Sequence, residues 1–199
     1  MSSEECRSKL AEMKCSIRKA CGAALTVAAF LSFAPLAQAQ DSAFASCVRE
    51  VGERDLADKT AFQQGLRDLI AITKPEFEEL AELQMQLQIA YARARAARLG
   101  YLATRDPERV DTASLTKFRN FDWSAADDAA MAAQDPGAGE LAARIAVLRG
   151  ENDGHRDWPK LREFMRAELM PDRAFRALME DFAKTDDALR ESLKDCRRE

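Results

Sequence analysis

The sequence predicts an all-α fold: a single helical bundle organised around one long central helix at about residues 74–104, with its N- and C-terminal helices joined by a disulfide. Three observations predict it. Ala, Leu, Glu and Arg are abundant while alternating β-branched runs are absent, which favours helix over strand. Only six prolines and eight glycines interrupt the 199 residues. Apolar residues recur at spacings of three and four along most of the chain.

The N-terminus reads as an export signal. Residues 22–37 are an apolar stretch ending in the small-x-small site Ala37-Gln38-Ala39, and Lys14, Arg18 and Lys19 supply the basic segment before it. The apolar run is too short to span a membrane comfortably and is broken by Pro35, so residues 1–39 are expected to be removed, leaving Gln40 first. Glu4, Glu5 and Glu12 do not suit a signal, whereas Met13 opens a better one, so translation is expected to start at Met13. The expected location is the bacterial periplasm or the medium.

Residues 40–199 form one domain, large enough for a core. Five of the 30 basic and three of the 34 acidic residues lie in residues 1–39, so this domain carries a net charge of −6. An acidic domain without a basic stripe argues against nucleic acid as a partner and against attraction to anionic lipid. No stable membrane anchor is expected once the signal is gone.

Cys6, Cys15 and Cys21 leave with the signal, so Cys47 and Cys196 remain. Two cysteines in an exported chain are most simply one disulfide, and no Cys-x-x-Cys redox motif competes. Cys47 shares a stripe with Phe44, Val48 and Val51, and Cys196 one with Phe182, Thr185, Leu189 and Leu193. Closing this loop contributes up to roughly 5 kcal/mol in the chain-entropy account.

The first helix is expected from Ser42 to about Arg54, capped by Asp41 or Ser42. A second is expected from Thr60, with Thr60 and Gln63 as its capping box and Phe62, Leu66, Leu69 and Ile70 buried. The organising helix follows. Thr73 and Glu76 read as a capping box, Ile72 and Phe77 as a hydrophobic staple, and Pro75 as a first-turn proline. Asp106-Pro107 stops it.

The organising helix is apolar on two sides. Leu80, Leu83, Leu87, Ala90, Ala94, Ala97 and Tyr101 make one stripe. Met85, Ile89, Ala92, Ala96, Leu99 and Ala103 make a second, nearly opposite. Either the helix is buried inside the bundle, or the second stripe is an interface for another protein or a second copy of this chain. Between them runs a polar line of Gln84, Gln88, Tyr91, Arg95 and Arg98. It suits a partner- or anion-binding face, with arginine forks beside a tyrosine platform, or a face that ion-pairs with a neighbouring acidic helix.

After Pro107, Leu115, Phe118, Phe121 and Trp123 cluster around a short helical turn, as a core lid or the lining of a ligand pocket. Ser124 and Asp127 open an Ala-rich helix that ends before Asp135-Pro136-Gly137. Leu141, Ile145 and Leu148 stripe another, closed by Gly150. Asp157 is expected to cap a helix beginning at Trp158-Pro159, and Pro171 to start or kink the last one.

Several chemistries lack their residues. His155 is the only histidine, set among Glu151, Asp153 and Asp157, which is too few for a zinc site and has the wrong register for an EF-hand. There is no Gly-x-Ser-x-Gly elbow and no phosphate-binding Gly-rich loop. The pairs Asp127/Asp128 and Asp186/Asp187 are adjacent, so each splays across a helix and reads as solubilising surface. No metal, cofactor or catalytic residue is assigned. Two function classes stay open. One is an exported protein with a non-catalytic binding, chaperone-like or structural role in the bacterial envelope. The other is a small carboxylate-dependent hydrolase acting on cell-wall material, whose two acids can lie far apart in the chain. Two carboxylates facing across an open cleft would mark the enzyme, and a filled bundle would mark the binding module.

Overall fold

A computed structural model describes the backbone of residues 36–196 and the side chains from Ala43 onward. The expected signal core and alternative start at Met13 lie outside these residues, as do Cys6, Cys15 and Cys21. Among the described residues there are seven α-helices: α1 Leu36–Thr73, α2 Glu78–Arg105, α3 Leu115–Arg119, α4 Ala125–Ala132, α5 Pro136–Asp153, α6 Trp158–Phe164 and α7 Arg173–Asp195. No strand occurs among the described residues. A π-helical turn, Met165–Leu169, continues α6, closed by the Met170 N–H donating to the Met165 carbonyl at 2.8 Å.

The predicted first two helices are one. α1 runs 38 residues without a break, a rod of about 57 Å. Thr60 does not cap anything: its hydroxyl donates to the Leu56 carbonyl one turn back, at 2.7 Å. Asp41 and Ser42 are already inside the helix, so neither is its cap, and their side chains lie outside those described. Thr73 behaves as Thr60 does, donating to the Leu69 carbonyl at 2.7 Å. The expected capping box and staple at 72–77 are therefore absent, and Ile72 is 81% exposed. A short 3₁₀ turn at Pro75–Phe77 instead reverses the chain into α2. α2 does stop at Arg105, before Asp106-Pro107.

α2 is enclosed on both apolar sides. Leu99 and Ala103 pack with Phe44, Val48 and Val51 of α1, with Leu189 and Leu193 of α7, and with Phe118 of α3. Gly52 of α1 sits where a Cβ would lie 3.7 Å from the Ala96 Cα, so the two helices cross closely there. Leu87 and Ala90 of the other stripe pack with Leu148 of α5, joined by Leu83, Leu141 and Ile145. At the turn end, Ile70, Phe77, Leu80 and Ala81 close over Leu161, Phe164 and Leu169.

The Cys47–Cys196 disulfide ties α1 to the end of α7, with Cα atoms 5.5 Å apart at a sequence separation of 149. Along the same α1–α7 contact, Phe62 and Phe182 rings lie 4.6 Å apart, and Arg54 donates to the Ser192 hydroxyl at 2.8 Å.

The shorter elements follow local rules, with two corrections. Ser124 and Asp127 form the expected capping box of α4. Asp172, just after Pro171, caps α7 by accepting from Ala174 and Phe175. α5, however, runs past Gly150 to Asp153, because Asn152 is buried and donates to Gln84 Oε1 at 2.8 Å. Asp157 does not cap α6 through its carboxylate, which accepts from Lys160 at 3.0 Å instead.

Candidate functional site

Two places concentrate polar chemistry on this scaffold. The first is a charge cluster where α1, α2, α3 and α7 converge. Asp55 of α1 is 3% exposed, which demands ionic partners. Arg119 of α3 supplies them: its Nη2 donates to Asp55 Oδ1 at 2.5 Å and to Asp186 Oδ1 at 2.7 Å. Nε adds a bond to Asp55 at 3.0 Å, and Nη1 one to Asp186 Oδ2 at 3.2 Å. Arg95 of α2 reaches the other Asp55 oxygen at 3.4 Å.

The electrostatics follow from this closure. Burial works to raise the pKa of Asp186, but the Arg119 hydrogen bond and charge outweigh it and hold the carboxyl below its ordinary value. Burial likewise opposes the charge of Arg119, yet its bonds to Asp186 and Asp55 raise its pKa. Lys59, one turn along from Asp55, has its pKa lowered by burial and by Arg119, and its ammonium lies 4.2 Å from the centre of the Phe182 ring. Asp58 is raised, first by burial. The cluster is a mutually neutralising clamp, not a pair of acids facing across a cleft.

The second place is a concave surface between α2, α4 and α5. An open groove of about 270 Å³ lies there, lined by Ala94, Ala97, Met131, Ala132, Leu141 and Ile145 among others. Its charged lining residues are Arg98 and Asp128, bonded at 2.9 Å. Trp123 completes this corner: its indole N–H donates to Asp128 Oδ1 at 2.7 Å, and the Arg98 guanidinium stacks 5.1 Å from its ring centre.

The polar line of α2 is thus distributed among neighbours. Gln84 meets α5, Arg95 meets Asp55, and Arg98 meets Asp128. Tyr91 packs against the α2–α5 core, and Gln88 is half-buried beside it. The structure does not gather the five on one open face. On the second stripe, Met85, Ala92, Leu99 and Ala103 are buried, and Ile89 and Ala96 half-buried. The chain's own first helix occupies that side of α2.

The aspartate pairs read as solubilising surface do more than that. Asp186 and Asp128 are engaged as above, while Asp127 accepts from Arg109 and from Ser124. The Arg109 bond, with the Ser124 contacts, holds the Asp127 carboxyl well below the usual carboxylate range. Around His155, the Asp157 N–H donates to the ring Nδ1 at 3.3 Å, and Asp153 pairs with Arg149 at 3.8 Å. Among the described residues no three His, Cys, Asp or Glu side chains converge on a metal position. No described helix is long and apolar enough to cross a membrane.

Asp55 and Arg119 escaped sequence reasoning, although a signal existed. Asp55 continues the spacing of Val48 and Val51, and Asp186 falls between Phe182 and Leu189 on the last stripe. A charge at a stripe position implies a buried partner.

Comparison with protein-family models, curated proteins and solved structures finds no match to this chain.

Proposed function

We propose that this chain acts after export, as a non-catalytic helical binding protein of the bacterial envelope. The observation that carries the reading is the closure of Asp55 and Asp186 on Arg119. The carboxylates that the bundle brings together across its helices are neutralised by a guanidinium, and the concave surface elsewhere is lined by apolar side chains. Binding surfaces are commonly of that kind, apolar with few polar groups at fixed places. Export is supported by the apolar segment with its Ala37-Gln38-Ala39 site and by the Cys47–Cys196 bond, since disulfides persist in oxidising compartments.

Cell fractionation followed by immunodetection tests the location, and incubation of purified protein with peptidoglycan tests the role. The mature chain is expected in the periplasmic or secreted fraction, and no soluble cell-wall fragments are expected. Release of such fragments, lost on replacing Asp55 or Asp186 in a folded variant, would overturn the reading.

A further inference from the structure

We propose that the groove between α2, α4 and α5 binds the aliphatic tail of a small carboxylate amphiphile, with Arg98 holding the carboxylate at its mouth. This deepens the binding role above by naming the ligand class. The groove, open along one side, offers about 270 Å³, roughly nine water volumes, or room for an aliphatic tail of about eight to ten carbons. Its walls are alanine, leucine, isoleucine and methionine side chains, which give water in the groove few partners. Room exists because α2 and α4 present alanines here, at Ala94, Ala97, Ala129 and Ala132.

The mouth selects an anion. Arg98 and Asp128 are the charged lining residues, and Arg98 spends one N–H on Asp128. A guanidinium fork carries five N–H donors, and that of Arg98 is held over the Trp123 ring, 5.1 Å from its centre. An incoming carboxylate competes with Asp128, which keeps the indole bond at 2.7 Å when it gives up the arginine. A protein partner fits poorly: stable protein interfaces bury about 1,000 Å² or more, far beyond a groove of this size.

Calorimetric titration of sodium octanoate into the full oxidised protein tests this. Saturable binding is expected, tightening about three- to fourfold per methylene from hexanoate and levelling off once the groove is full. Octanol should bind about tenfold more weakly than octanoate. Arg98→Gln should lower octanoate to the octanol level, and Asp128→Asn, which removes the competing charge, should tighten it. Ala142→Leu and Ala129→Leu each fill the groove from an exposed wall position and should abolish binding while circular dichroism reports an intact fold. Absence of binding, indifference to both filling variants, or equal affinity for octanol and octanoate would overturn the proposal. So would self-association that Ala142→Leu removes, which would make a second copy the occupant. Failure here would leave the envelope location and the cell-wall assay to stand or fall separately.

Discussion

Arg119 Nη2 stands 2.5 Å from Asp55 Oδ1, across 64 residues of sequence. The five-residue helix that carries Arg119 is too short to be stable alone, so its position depends on this bond and on the burial of Leu115 and Phe118. The clamp therefore holds the 107–123 segment against the terminal helices.

Breaking the clamp from one side should be severe. Asp55→Ala leaves Arg119 facing a buried hole and is expected to cost about 3–5 kcal/mol in urea unfolding. Replacing Asp55, Arg119 and Asp186 together by apolar residues of similar volume should lose much less, because no charge is then stranded. Equal losses in the two variants would show that the residues act by shape alone.

Acid should weaken the bundle through Asp186. Its folded pKa is lowered by Arg119, so the carboxylate contributes stability in full above its unfolded value of about 3.9. That contribution is lost as pH falls through the lower folded value. Asp186→Asn should be less stable than the parent at pH 7, and the difference should shrink below about pH 4. A difference that stays constant down to pH 2 would contradict the pairing.

The continuity of α1 was the feature least legible in the sequence, and this clamp explains why. Glu53, Arg54, Asp55, Asp58 and Lys59 look like a solvated break between two helices. Two of them turn inward, and their partners lie on α3 and α7, where no local pattern can announce them. Thr60 and Thr73 misled for a simpler reason: a threonine hydroxyl can bond back to its own helix as readily as it caps the next. By contrast, the α4 capping box and the stop at Asp106-Pro107 depend on near neighbours and were readable, and the two apolar stripes of α2 were visible although what covers them was not. The groove was not, since it needs three helices to be placed first.

The close crossing of α1 and α2 should reject a charge. Ala96→Glu places a carboxylate under Gly52, and a loss of several kcal/mol in folding stability is expected. An unchanged melting temperature with altered oligomeric state would instead return Ala96 to an interface.

The disulfide should contribute measurably to holding α1 against α7. Replacing Cys47 and Cys196 together by serine is expected to lower stability by about 2–5 kcal/mol, read from the urea midpoint. The variant should keep its helical circular dichroism at low temperature, because the α1–α2 packing does not depend on the bond.

Intact mass of the chain recovered from its native host reads export and closure together. The expected species begins at Gln40 and is two hydrogens lighter than its reduced form, because Cys47 and Cys196 are bonded. A chain that still begins at Met1 or Met13, with both thiols free, would contradict this expectation.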